Sequence, residues 1–321
     1  MRVYFWGTRG SLPAATTSQM TYAKIFKAIK ASRSHTLPTD EAIETFIHGN
    51  LPFSVRGSYG GNTSCVEIRG QEEYILCDAG TGLRDFGNHI LKSGEMRRRG
   101  SAAVFHIFIS HPHWDHIQGF PFFTPAYMSG SRVNIYGCHA DLERSFITQQ
   151  NPANFPVSLK DMKGKIIFHT LEPDKTYDIA GLAVRGIKQN HPGDSYGYCF
   201  SRDGKKVVYA TDAEHKIDAD DEEADFIDFS GNADLLIFDA QYTLEDASGE
   251  KANWGHSSNL VAVELAIKAG VKRLCLYHSE HTYDDENLDQ FLDETREYLK
   301  KRAASRPLKI DLAYDGLEIE V

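Results

Sequence analysis

The chain reads as an α/β protein, two β-sheets with covering helices in one domain. Short runs of apolar and β-branched residues recur along its length, most of them closed by Gly, Asp, Asn or His. Helix-like segments are fewer. No internal repeat and no low-complexity linker divides the 321 residues, a length that suits one large domain or two small ones.

In chain order the strand-like runs are Arg2–Trp6, Ser64–Ile68, Glu73–Cys77, Ala103–Ile109, Arg132–Tyr136 and Lys165–His169, then Ala183–Gln189, Gly197–Ser201, Lys206–Ala210, Leu235–Asp239, Arg273–Tyr277 and Lys309–Ala313. Helical spacing marks Met20–Ser32, Thr39–Ile47 and Ala140–Gln149. Asn259–Ala269 carries Leu260, Val261, Val263, Leu265 and Ile267, with Gly270 placed as its stop. Asn287–Lys300 has Leu288, Phe291, Leu292, Thr295 and Leu299 close to a three-four repeat. The stretch from about Leu12 to Gly57 is helical and polar, bounded by Pro13 and Gly57. It reads as an insertion into a single domain spanning 1–321: a surface excursion, a lid or a dimer contact.

Hydrophobic residues make up 41% and charged residues 25%, which predicts a packed core. The net charge of −10 argues against a basic nucleic-acid-binding surface. The densest basic run, Arg97–Arg99, reads as a solvated helix end or loop. No apolar run approaches membrane-spanning length, so no membrane partner is expected. The opening MRVYFWGTRG lacks the apolar stretch of a signal peptide. The five cysteines are scattered without a CxxC pair. Together these predict a reducing compartment, the cytoplasm.

The chemistry gathers at strand ends. After Val104–Ile109 comes HPHWDH, which packs His111, His113, Asp115 and His116 into six positions. Imidazole and carboxylate are ligands that zinc, manganese and iron accept. In an extended segment His111 and His113 point the same way. Asp115 keeps that parity and His116 follows as the chain turns. Two ligand pairs adjacent in sequence can then serve two adjacent metals. Asp78 ends YILCDAGTG, His191 ends VRGIKQNH, Asp212 ends KKVVYATD, Asp239 ends LLIFD, and His278 ends RLCLYH. Singly, each has a plain reading as a turn starter or loop residue. His256, in NWGHSSNL, sits where a helix-capping segment belongs. As a set they form a pattern: successive apolar runs deliver Asp or His at the same kind of position, where sheet edges build sites.

HPHWDH fits the HxHxDH signature of the metallo-β-lactamase superfamily, and the ordered set Asp78, HPHWDH, His191, Asp212, His278 resembles its successive motifs. NHPGDSYGY, YATD, WGHSS and LYHSEHTYDD resemble the branch that holds ribonuclease Z and the cyclic-phosphate phosphodiesterases. The resemblance runs from Arg2 to about Asp285. It implies a four-layer αββα sandwich with two divalent metal ions, zinc first, with manganese or iron as alternatives. His111, His113 and His191 would hold one metal. Asp115, His116 and His278 would hold the other, and Asp212 would bridge. Asp78 would orient a ligand or the site water, and His256 would act beside the leaving group.

The activity implied is hydrolysis of a small or cyclic nucleotide-type phosphodiester by a dinuclear metal-bound hydroxide. Trp114, Tyr196 and Tyr198 are candidates to line the mouth and stack on a base, or are ordinary core and rim aromatics. An RNA-processing nuclease of the ribonuclease Z kind is the alternative. A long RNA-gripping arm is inserted in ribonuclease Z between the positions of His191 and Asp212, which here lie only 21 residues apart. That leaves room for a tight strand pair. Thioester, lactone or β-lactam hydrolysis on the same scaffold, and a metal-binding protein without activity, are the remaining readings. The resemblance also suggests a homodimer.

Overall fold

The computed structural model describes residues 1–98, 103–215, 220–249, 251–302 and 307–321; of the basic run Arg97–Arg99, Arg99 lies outside them. Fourteen strands occur among the described residues: β1 Arg2–Gly7, β2 Cys65–Arg69, β3 Tyr74–Cys77, β4 Val104–Phe108, β5 Arg132–Gly137, β6 Lys165–Thr170, β7 Thr176–Ile179, β8 Leu182–Gln189, β9 Ser195–Arg202, β10 Lys205–Ala210, β11 Leu235–Asp239, β12 Arg273–Tyr277, β13 Lys309–Leu312 and β14 Glu318–Glu320. All twelve expected strands are present. The two additions, β7 and β14, are short edge strands.

The strands form two seven-stranded sheets, ordered β14-β1-β2-β3-β4-β5-β6 and β13-β12-β11-β10-β9-β8-β7. In each sheet one half is parallel: β3 to β6 in the first, β10 to β13 in the second. The other pairings are antiparallel. Two reversals separate β1 from β3, and two separate β8 from β10. So β1, β3, β4, β8, β10, β11 and β12 all deliver their C-terminal ends to one edge.

Side chains explain the layering. Along each central strand, alternate residues point to opposite faces. Val3, Phe5, Ile75, Cys77 and Phe108 meet Val207, Tyr209, Leu235, Ile237 and Tyr277 between the sheets. The intervening residues face outward. Trp6, Leu76, Phe105 and Ile107 pack with Leu83, Phe86 and Ile90 of helix Gly82–Lys92. Val208, Leu236, Phe238, Leu274 and Leu276 pack with Val261, Leu265, Leu288 and Phe291 of helices Asn259–Lys268 and Asp285–Lys301. A strand buried on both faces reads as an unbroken apolar run, which is the pattern in the sequence. The result is the αββα sandwich expected from the resemblance.

Between β1 and β2 the stretch from Leu12 to Gly57 forms helices Ser18–Ser32, Asp40–Asn50 and Phe53–Arg56. Thr17 and Thr39 cap the first two, accepting from the amides of Met20 and Ala42. The group is tied to helix Asp285–Lys301 by Lys24–Asp285 and by the Ser54 amide donating to Asp289 at 2.9 Å. β9 and β10 join through Asp203 and Gly204 alone, both with positive φ (53° and 72°), the two-residue hairpin turn. No arm leaves the chain there.

Leu236 is fully buried between the second sheet and its helices. Leu236→Ala is expected to destabilise the chain by about 2–5 kcal/mol in a urea titration, through lost transfer energy plus a cavity.

Candidate metal centre

Three of the strand-end residues sit in the left-handed backbone region: Asp78 (φ 61°), Asp212 (φ 54°) and His278 (φ 62°). Non-glycine residues seldom hold it, and Asp and His are among those that do at sites where geometry is over-determined. Each residue ends a strand and turns its side chain over the shared edge. HPHWDH leaves β4 and turns at once into a short helix, Trp114–Ile117. The DAGTG loop after β3 packs on that turn. The Ala79 amide donates to His116 O at 2.7 Å and the Gly119 amide to Ala79 O at 2.9 Å. A Cβ on Gly80 would lie 2.3 Å from Asp115 O, and one on Gly119 would lie 1.9 Å from Gly80 O, so both positions need glycine.

The structure brings His111, His113 and His191 together in one group, and Asp115, His116, Asp212 and His278 in another. Asp212 Oδ2 faces both, lying 3.3 Å from His116 Nε2, 3.6 Å from His111 Nε2 and 4.0 Å from His191 Nε2.

The remaining ring nitrogens fix the tautomers. His116 Nδ1 donates to Asp78 Oδ2 at 2.7 Å, His191 Nδ1 to Gly255 O at 2.8 Å, and His278 Nδ1 to Gln241 Oε1 at 3.2 Å. The Ser110 hydroxyl donates to Asp78, so His111 Nδ1 donates to Ser110 Oγ at 3.0 Å. In the neutral rings each Nε2 is therefore a lone pair aimed inward. His111 Nε2 is buried with no hydrogen-bond partner. His116 Nε2 and His278 Nε2 lie 3.2 Å apart, and each is within 3.2 Å of Asp115 Oδ2. Acceptors packed face to face and shielded from water need a cation among them. The donor set fits divalent ions.

Electrostatics agree. Burial, then neighbouring His116, pushes His111 well below its usual range. Burial likewise lowers His113 and His191, which favours the ligating neutral form. Burial opposes charge on Asp115 and Asp212, but the surrounding imidazoles, His116 foremost, hold both well below the usual carboxylate range. Burial also opposes charge on His116, yet Asp115, Asp212 and Asp78 raise it well above normal.

Asp78 is fully buried. It accepts from the Ser110 amide (2.7 Å) and hydroxyl (2.8 Å), the Tyr209 hydroxyl (2.6 Å) and His116 Nδ1. Its contacts orient His116 and, through Ser110, His111. His256 stands beside the groups, its ring centroid 5.2 Å from that of His278 and 5.1 Å from that of His191. Its Nδ1 donates to Asp239 Oδ2 at 2.9 Å, and Asp239 is held by the Ala213 and Gln241 amides. Burial works against the His256 cation, but Asp239, then Asp212 and Asp115, pushes its pKa up to about 9.

Several residues escaped sequence reasoning. The Ser11 amide donates to Asp115 Oδ2 at 2.9 Å, from a residue at the mouth of the 12–57 stretch. Gln241 braces His278, and its amide nitrogen donates to Glu280 at 3.1 Å. Glu214 accepts from the Asn253 and Gly255 amides, fixing the turn that holds His191. Only Gln241, two residues past the strand-end Asp239, carried a positional hint. Of the aromatics weighed for the mouth, Trp114 is 71% exposed. Tyr198 is fully buried between the sheets, donating to Ile109 O, and Tyr196 is nearly buried against His139. His215 is half-buried, its ring packed against Phe226 and Phe238.

Residues 73–279, from β3 through β12 and every strand-end residue above, match the model of the β-lactamase superfamily domain. The chain belongs to that superfamily. It is a hydrolase of the metallo-β-lactamase fold, and it resembles the ribonuclease Z and phosphodiesterase branch. Ribonuclease Z of Thermoplasma volcanium is 25% identical over 312 residues, covering 81% of this chain and 93% of that one. The short form of human tRNase Z superposes with a TM-score of 0.60 at 20% identity, covering 100% of this chain and 99% of that one. Yeast PDE1 superposes with a TM-score of 0.64 at 14% identity, covering 99% and 98%. No helix among the described residues is long and apolar enough to cross a membrane.

Asp78→Asn keeps the shape but removes the carboxylate that His116 donates to. It is expected to weaken metal affinity by about 10–100-fold, read by competition against a chromogenic chelator.

Proposed function

We propose that this hydrolase is a metal-dependent phosphodiesterase acting on a small or cyclic nucleotide-type phosphodiester. One observation carries the reading: two groups of inward lone pairs, sharing Asp212, stand beside His256, an imidazole backed by a carboxylate. In this reading His111, His113 and His191 hold one divalent ion, Asp115, His116 and His278 hold the second, and Asp212 lies between. Such ions, zinc first among them, supply Lewis acidity toward a phosphoryl oxygen and lower the pKa of a bound water.

The chain's own residues do the rest. Asp78 keeps His116 in the ligating tautomer. Asp239 accepts a hydrogen bond from Nδ1–H of His256 and stabilises the imidazolium, whose Nε2 proton can be given to the departing oxygen. Gln241 and Ser11 hold His278 and Asp115 against displacement as substrate enters.

Substrate size is the second part of the proposal. The Asp203–Gly204 turn offers no RNA-gripping arm between β9 and β10, and the −10 net charge gives little to attract a phosphate backbone. RNA end-processing stays as the second reading, favoured by relatives named Ribonuclease Z over most of the chain. A homodimer belongs to the same proposal. Tyr22, Ile25, Phe26 and Ile29 run as an exposed apolar stripe along helix Ser18–Ser32, and a second copy would cover it. So does a cytoplasmic location, which five free cysteines favour.

The metal-loaded chain is expected to hydrolyse a member of a panel of 2′,3′- and 3′,5′-cyclic nucleotides, and a chelator is expected to abolish it. Turnover of an RNA 3′ extension with none of the panel would replace the first reading with the second. Asp212→Ala is expected to lose metal and activity together; a variant fully active and fully loaded would remove the bridging role. His256→Ala is expected to retain its metal and slow turnover by about 10²–10⁴-fold. Reduced metal content with an unchanged rate per bound ion would end the acid assignment.

A further inference from the structure

Trp114 lies between two of the site histidines and the aspartate, yet its indole is 71% exposed. An exposed indole beside a candidate metal centre offers a flat, rigid surface on which a planar ring can stack. The indole forms one wall of a groove of about 300 Å³, at the lower end of the range for small-molecule sites. Pro112 continues that wall, and helix Leu142–Gln149 supplies the opposite one through Arg144, Thr148 and Gln149, with Asn154 at its end.

A second observation comes from Gln149. Its Nε2 donates to Ile117 O at 2.9 Å, which fixes the amide orientation. That bond ties helix Leu142–Gln149 to the turn just after Trp114, so the two walls are held at a fixed spacing. The groove thus offers a flat π surface on Trp114, a guanidinium on Arg144 and a carboxylate on Asp141. Its Trp114 wall is covalently continuous with the HPHWDH ligand loop.

We propose that this groove is a nucleobase subsite, with the base stacked on Trp114 beside Arg144. It rests on the phosphodiesterase reading above and gives that reading its specificity. Stacking on an exposed indole tolerates any base, and Arg144 adds a cationic edge for the ring or its phosphate. A nucleotide therefore fits better than a base-free ester, with little preference among bases.

The test compares adenosine 2′,3′-cyclic phosphate with glycerol 1,2-cyclic phosphate, two five-membered cyclic diesters with and without a nucleoside, on the metal-loaded chain. Wild type is expected to favour the nucleotide through KM. Trp114→Ala is expected to raise the nucleotide KM by roughly 5- to 150-fold and collapse the nucleotide-to-glycerol ratio of kcat/KM, with Trp114→Phe restoring most of it. A ratio unchanged in Trp114→Ala would overturn the subsite. If neither ester is hydrolysed, the 3′,5′-cyclic members of the panel decide the phosphodiesterase reading, and adenosine alone decides the groove. Quenching of intrinsic fluorescence that Trp114→Ala abolishes upholds it, and quenching that is absent or identical in the two proteins overturns it. In that titration, competition by AMP against a short oligoribonucleotide names the source of the base, the tighter competitor being the class the groove serves.

Discussion

The molecule is organised around a crowd of acceptors with no donor among them. The imidazole lone pairs of His111, His116 and His278 and the carboxylates of Asp115 and Asp212 converge at contacts of 3.1–3.6 Å. No arrangement of neutral protein groups relieves that repulsion in a dry site; a proton or a metal cation does. The surrounding structure exists to hold the crowd against its tendency to spread. Left-handed turns at Asp78, Asp212 and His278 aim the side chains inward, and the far nitrogens of His116, His191 and His278 are tied to rigid acceptors. The strand ends themselves are anchored by cores on both sheet faces.

The tie points are coupled. His278 leans on Gln241, whose backbone amide donates to Asp239, and Asp239 accepts a hydrogen bond from Nδ1–H of His256. One strand end, that of β11, therefore sets both a site histidine and the proton-bearing histidine. On the other sheet Asp78 does the same for His116 and, through Ser110, for His111. A carboxylate at a strand end thus works on two histidines at once in each half of the sandwich. That economy places site precision in rigid elements rather than in mobile loops.

Much of this was legible beforehand for a physical reason. Strands buried on both faces leave unbroken apolar runs, and a polar residue that ends such a run stands out. Asp78, His111, His191, Asp212, Asp239 and His278 were all visible that way. What stayed hidden lacks such contrast. Edge strand Thr176–Ile179 buries little besides Ile179, and Glu318–Glu320 buries only its middle residue. Helix Gly82–Lys92 begins inside a glycine-rich segment that reads as a loop, although Leu83, Phe86 and Ile90 make a regular buried stripe. Ser11 acts through its backbone amide, and a backbone donor leaves no trace in residue identity. Tyr198 shows the converse error. An aromatic in a GY-rich run suggested a stacking surface, but strand parity turns it into the inter-sheet core.

The 12–57 stretch is bound to the site through this same backbone logic. It starts at Ser11, whose amide caps Asp115 and whose hydroxyl accepts from Gln241 at 3.3 Å. A few residues on, its helices are clamped to helix Asp285–Lys301, which follows the His278 loop. Both attachments land on segments next to Asp115 and His278, two members of one cluster. Movement of these helices would therefore be felt first at those two side chains, while His111 and His191 are held through Ser110 and Gly255 on the far side. The two halves of the centre differ in what braces them: the first is tied to the sandwich itself, the second also to a helical layer whose Tyr22–Ile29 face is exposed.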